Sequence, residues 1–256
     1  MKIKEYGIEN KRRLLFLPGS LSDISWYENS IELLKRDFHI FAIIYDGYHK
    51  PYNESFETVE KTVNELTEYF KEREIFEFDT VYGLSMGGGI ANLLYATDEF
   101  KIKNLIMDGG ITPYQLPWIL TRFILLRDII GLWLLRRSKR ILKAFFPSEH
   151  WILEGEDEDE YYDEIHEYLN TISFKTMVNC FDSCNNYSMP KNFPNNETKI
   201  YYIYGELEKK ERAWDIDYIK KTYPKAAFKE IKNMEHGELS TIRPREFYET
   251  ICKLTK

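Results

Sequence analysis

Gly83-Leu84-Ser85-Met86-Gly87 is the stretch on which the reading of this chain turns. An apolar run, Asp79–Tyr82, precedes it with the composition of a buried strand, and Gly88–Ala96 follows with that of a helix. A serine at such a strand-to-helix turn sits on a sharp, strained bend. Side chains two positions before or after it would collide with the neighbouring chain, and the glycines at 83 and 87 remove that collision. The turn lifts the hydroxyl above the sheet edge, at the foot of a helix whose amide end attracts negative charge. The spacing marks Ser85 as a nucleophile rather than a buried packing residue.

Outward from this turn, strands and helices alternate. Leu14–Leu17 is a short apolar run closed by Pro18-Gly19, and Ser25–Arg36 carries Trp26, Ile31 and Leu34 at helical spacing. His39–Tyr45 is a second strand, and Phe56–Glu72 an amphipathic helix with Val59, Val63, Leu66 and Phe70 on one stripe. Lys103–Met107 is a fourth strand, ending at Asp108-Gly109-Gly110. This alternation predicts an α/β fold, a mostly parallel central sheet with helices on both faces. From Ile111 to Pro190 only helical periodicity remains. The alternation resumes with strand Lys199–Tyr204, helix Ile216–Tyr223, strand Ala226–Ile231 and helix Arg245–Lys253. The expected organisation is a core of residues 1–110 and 191–256, interrupted by a helical insertion, 111–190.

A serine hydroxyl is a weak nucleophile until a neighbouring base takes its proton. Of the five histidines, His39 falls within a strand, His49 follows the second strand, and His150 and His166 lie in the insertion. His236 alone comes just after the last strand, in Asn233-Met234-Glu235-His236-Gly237, and is the expected base. An acid must orient the imidazole and stabilise its charged form. Strand Lys199–Tyr204 runs into Gly205-Glu206-Leu207-Glu208, so Glu206, Glu208 and Asp215 are candidates. Asp108, which ends the preceding strand, is a candidate of a second kind. Glu208 is the first choice.

Over nearly its full length the sequence resembles the α/β-hydrolase family. Leu14–Ser20 looks like that family's first strand and oxyanion loop, and Asp46-Gly47 like its next turn. Gly83–Gly87 resembles the nucleophile elbow, Gly205–Glu208 the acid turn and His236-Gly237 the histidine loop. Pro18-Gly19 stands where the family often has His-Gly, and a glutamate where it more often has aspartate. The resemblance implies that the amides of Ser20 and Met86 form an oxyanion hole, and that the insertion is a cap over the pocket. It implies a serine hydrolase cleaving a carboxylester, amide or thioester bond through an acyl-enzyme on Ser85. The same fold also hosts carbon–carbon bond hydrolases, lyases and cofactor-free peroxidases, and a chain that kept the pocket without turnover would be a ligand sensor. The insertion is rich in large apolar residues, from Leu116 and Trp118 to Trp151. Some form its own core; the rest are expected to line an apolar pocket, with Leu21, Trp118 and Phe123 as contacts to a small, partly apolar substrate.

Composition excludes other classes. With 42 acidic and 35 basic residues the chain carries −7, the wrong sign for a general nucleic-acid binder. Cys180, Cys184 and Cys252 cannot build a disulfide framework, and they lack the partners of a metal site. No metal or organic cofactor is expected. The charged start lacks a signal peptide's apolar stretch, and Arg122, Arg127 and Asp128 interrupt the most apolar region, Leu116–Leu135, so a soluble cytoplasmic protein is expected. Without a secretory route, the glycosylation patterns at Asn53-Glu54-Ser55 and Asn196-Glu197-Thr198 carry no meaning. The acidic run Glu154–Glu164 reads as a solvated helix start or loop, not a calcium loop. Arg136, Arg137, Lys139 and Arg140 read as a solvated face, with weak contact to an anionic membrane surface or an acidic ligand as the alternative.

Overall fold

A computed structural model describes residues 1–49, 54–114, 116–153, 155–194 and 196–256. Asn53 of the first glycosylation pattern and Glu154 at the head of the acidic run lie outside them. Seven strands form one sheet: β1 (Lys2–Tyr6), β2 (Arg13–Leu17), β3 (His39–Ile44), β4 (Glu77–Leu84), β5 (Lys101–Asp108), β6 (Lys199–Gly205) and β7 (Ala227–Ile231). Their spatial order is β1-β3-β2-β4-β5-β6-β7. All neighbours pair in parallel except β1, which runs antiparallel to β3. The mostly parallel sheet expected from the alternation is therefore present.

Helices cover both faces because successive strand residues point to opposite sides. Leu15, Leu17, Val81, Leu105 and Met107 face one way. They meet α2 (Val59–Glu72), α3 (Met86–Ala96) and α9 (Ala213–Thr222). Leu14, Phe16, Tyr82, Leu84 and Ile106 face the other way. There they meet α1 (Glu28–Leu34), α10 (Glu238–Thr241) and α11 (Pro244–Leu254). Thr58 caps α2 by accepting from the Lys61 amide, so that helix begins three residues after the Phe56 at which its apolar pattern starts.

Between β5 and β6 the described residues form only helices: α4 (Trp118–Leu135), α5 (Lys139–Phe145), α6 (Ser148–Trp151), α7 (Glu158–Thr171) and α8 (Phe174–Asn186). Asp157 caps α7, its Oδ1 accepting from the Asp159 and Glu160 amides, so part of the acidic run is a helix start. The chain passes from β2 to β3 on one side and then returns to β4 on the other. The sheet order thus reverses between β2 and β4, and in open α/β sheets that crevice at the strands' carboxyl ends is where ligands bind.

Candidate active site

Ser85 follows β4 directly and caps α3 with φ 53° and ψ −117°, a backbone that L-residues rarely adopt. Neighbouring glycines make the bend fit. A Cβ at Gly83 would stand 2.1 Å from the Gly87 carbonyl oxygen, and one at Gly87 would stand 2.1 Å from that of Leu17. The Ser85 amide donates to the Asp108 carbonyl at 2.8 Å, and its carbonyl accepts from the Ile111 amide at 3.0 Å. The serine is thereby fastened to the segment that leaves β5.

The same segment receives the histidine. A Cβ at Gly109 would lie 2.6 Å from His236 Nδ1, so the imidazole packs against bare backbone there. His236 Nδ1 is 2.5 Å from Glu208 Oε2. No hydrogen bond joins Ser85 to His236 in this structure; residues 108–111 meet both, through the Ser85 backbone and the His236 ring. Catalytic hydrogen bonds commonly tighten only once substrate is bound.

The four candidate acids separate cleanly. Glu208 is 1% exposed and touches the imidazole, and its other oxygen accepts from the Gly205 amide at 2.9 Å. Burial alone would raise its pKa, but the His236 charge and hydrogen bond, the Gly205 amide and the Arg212 guanidinium together hold it below the ordinary 4.5. Asp215 is committed to Thr112, accepting from its amide and hydroxyl at 2.7 and 2.8 Å. Glu206 accepts from the Asn233 amide at 3.0 Å. Asp108 is fully buried; its Oδ2 accepts from the Tyr82 hydroxyl at 2.7 Å, and its Oδ1 has no partner among the described residues. Burial, and then the nearby Glu208 charge, push Asp108 up to about 7.

Three tyrosines that the sequence did not single out hold the loop after β2. Tyr27 accepts from the Gly19 amide at 3.2 Å and donates to Ser22. Tyr48 accepts from the Leu21 amide at 3.1 Å, and Tyr45 donates to the Pro18 carbonyl at 3.1 Å. The amides on either side of Ser20 are thus engaged, while those of Ser20 and Met86 make no hydrogen bond among the described residues. Leu21, expected as a substrate contact, is buried with φ 54°, a left-handed backbone held by its neighbours. Cys180 of α8 lies beneath, 3.3 Å from the Tyr48 hydroxyl and 3.3 Å from Met86 Sδ. Burial pushes its thiol up to about 12, so it acts as packing.

Arg212 was also missed. Buried beside the acid, it lies 3.7 Å from Glu208 Oε2 and 3.3 Å from Asp215 Oδ2, and donates to the Gly109 carbonyl at 3.4 Å. No local pattern marks it: an arginine four residues after a glutamate is common on helices. On the histidine loop, Glu238 is buried. It accepts from the Glu235 amide, pairs with Arg243 and meets His150 Nδ1 of α6 at 3.0 Å, which ties the helical segment to the loop.

Trp118 and Phe123, expected as substrate contacts, both belong to α4. They are 70% and 65% exposed on α4. Residues apolar all round a helix cannot all turn inward, and Thr121, Leu132 and Leu135 take the covered side. A cavity of about 600 Å³ has Trp26, Trp151, Tyr161 and Ile242 in its wall, and neither Ser85 nor His236 lines it. The Trp151 ring comes within 3.7 Å of a Cβ built at Gly237. Among the described residues one cluster has the donor types for a cation: Asp46, His49 and Glu54 bring ligand atoms within 4.8 Å of one another. The Asp46 carboxylate is already paired with the Met1 ammonium.

No protein-family model and no curated protein matches the chain. Solved structures do. A Desulfitobacterium hafniense protein of the alpha/beta hydrolase family superposes with a TM-score of 0.76 at 15% identity, covering 100% of both chains. A carboxylesterase study of Nitrososphaera gargenis supplies another, with TM-score 0.70, 18% identity and coverage of 98% and 92%. Bromoperoxidase from Bacillus anthracis gives 0.74 at 15% identity, covering 98% and 94%. At such identities the likeness speaks for a shared fold, and its members differ in reaction.

Proposed function

We propose, from the premise that this chain has the α/β-hydrolase fold, that it is a serine hydrolase cleaving an ester-type bond of a small, partly apolar substrate. The observation that carries the reading is the 2.5 Å contact between His236 Nδ1 and the buried Glu208, on the segment that also holds the strained Ser85. With Nδ1 committed to the carboxylate, Nε2 is the nitrogen left to take a proton.

In this reading His236 removes the Ser85 proton as Oγ attacks the carbonyl carbon. Glu208, ionised at neutral pH, stabilises the resulting imidazolium. The amides of Ser20 and Met86 receive the negative charge on the tetrahedral oxygen; donors already aimed at that position are worth about 3 kcal/mol each in comparable sites. Collapse expels the alcohol, protonated by His236, and leaves an acyl group on Ser85. Water, deprotonated by the same imidazole, releases it. Residues 111–190 act as a cap, anchored to the histidine loop through His150 and Glu238. The structural likeness to a carboxylesterase is consistent with ester chemistry.

A panel of p-nitrophenyl esters of rising acyl length, with one amide and one thioester, tests this beside the Ser85→Ala protein. Turnover of at least the esters, absent in Ser85→Ala, is expected. Equal turnover by the two proteins would overturn the assignment, and acetate favoured over every longer chain would remove the apolar-substrate clause.

A further inference from the structure

Helix α4 is apolar on all sides, yet only Thr121, Leu132 and Leu135 are buried among its 18 residues. Ile119, Phe123, Leu126, Ile130 and Trp133 recur at steps of four and three, which places them on one ridge of a helix. They are 56%, 65%, 53%, 50% and 49% exposed. A continuous apolar ridge of this kind on a protein surface marks an interaction site. The ridge has aromatic ends: Trp118 before it, with Arg122 over its ring at 5.6 Å, and Trp133 closing it, with Arg137 over its ring at 4.8 Å.

Charge decides the occupant. The chain as a whole carries −7, but residues 118–140 hold six basic side chains, Arg122, Arg127, Arg136, Arg137, Lys139 and Arg140, against one acid, Asp128. Arg137 and Arg140 are exposed and form no ion pair among the described residues. Of the α7 acids, Lys143 holds Glu158 and Asp159, and Lys139 holds Asp163. A second copy fits poorly, because twofold antiparallel pairing of α4 would bury the Arg127–Asp128 ion pair, near its centre, against its own image. No helix of the described residues is long and apolar enough to cross a membrane. An apolar helix face with tryptophans at its ends and arginines beside it suits the plane between headgroups and acyl chains.

We propose that the outer face of α4 seats the protein on an anionic phospholipid surface. The apolar ridge enters the acyl boundary, and Arg137 and Arg140 meet the lipid phosphates. This goes beyond the hydrolase reading and does not depend on it, because binding is measured without turnover.

The test is flotation with vesicles of equimolar phosphatidylglycerol and phosphatidylcholine, and with phosphatidylcholine alone. The full chain is expected to float with the anionic vesicles and to detach as salt rises. Arg137→Glu with Arg140→Glu should weaken binding by roughly tenfold or more. Leu126→Glu with Ile130→Glu should abolish it. Because those variants could disturb the helix, a measurement on the native ridge accompanies them. Bromine-labelled acyl chains should quench tryptophan emission, and Trp118→Phe with Trp133→Phe should remove that quenching. Failure to float, or binding unaffected by the Leu126 and Ile130 changes, would overturn the proposal. So would vesicle binding without quenching, or a dimer in solution that Leu126→Glu with Ile130→Glu dissociates.

Discussion

Helices α3 and α4 are both apolar, and the molecule uses them in opposite ways. Every residue of α3 is buried, whereas α4 leaves most of its length in contact with solvent. α3 lies against the sheet so closely that a Cβ at Gly87 or Gly88 would fall within 2.5 Å of backbone atoms of Leu17 or Gly110. The one glycine in α4, Gly131, has nothing within 4 Å of where its Cβ would be. Apolar composition says that a surface wants to leave water; only the tertiary placement says what it leaves water for. In α3 that placement sets the serine over the sheet, and in α4 it leaves a face to be covered by something else.

The comparison is tested hardest at the chemistry α3 supports. Glu208→Gln should lower kcat/KM for the best ester by on the order of 10⁴, since a lost carboxylate leaves the imidazole in the wrong tautomer. Ile130→Ala on α4 should leave kcat/KM for a soluble ester unchanged. Comparable losses from both would erase the distinction between the two helices.

Gly87→Ala comes next. Its methyl group would overlap the Leu17 carbonyl, and urea unfolding should show a loss of about 3 kcal/mol, the upper range for overpacked sites. A loss below about 1 kcal/mol, close to the scale of ordinary surface changes, would mean that α3 is less tightly seated than its geometry indicates.

A pH titration of stability sharpens the account of the buried acids. Asp108 rises from the ordinary 3.8 to about 7, first through burial and then through the Glu208 charge. Between those values the folded chain holds a proton that the unfolded chain releases. The Asp108 contribution is therefore complete below 3.8 and is lost as pH climbs through 7. Asp108→Asn should flatten that part of the profile. Glu208 runs the other way: its lowered pKa gives stability above the ordinary 4.5 that is lost as pH falls. A mutant profile parallel to the native one between 4 and 7, the window set by that shift, would remove Asp108 as its source.

The smallest effect belongs to α4 itself. Gly131→Ala should raise stability by about 1 kcal/mol, because alanine is the better helix former and the added methyl meets nothing.

The sequence could be read wherever function or packing imposes a local pattern. Gly83–Gly87 announced the bend because two close backbone approaches demand glycine at fixed offsets from the serine. The alternation of apolar strands with helices was readable because a parallel sheet buries both faces. Strand β1 escaped notice, since Lys2–Tyr6 is an edge strand with mostly exposed residues and no apolar run to mark it. Strand β4 begins two residues earlier than its apolar stretch, at Glu77, where pairing with Lys101 of β5 extends it. The supporting shell was silent for another reason. Tyr27, Tyr45, Tyr48 and Arg212 act through contacts the fold creates between separate elements, and nothing in the spacing of 19 tyrosines distinguishes these three. The exposure of Trp118 and Phe123 was equally hidden, because a helix apolar all round does not declare which side will be covered.

The most direct measurement is covalent labelling with a fluorophosphonate, followed by peptide mass spectrometry. The account requires the phosphonyl group on Ser85 alone, with labelling absent in Ser85→Ala and slowed in both His236→Ala and Glu208→Gln. An unlabelled native protein, or a label carried by another residue and retained in Ser85→Ala, would contradict it.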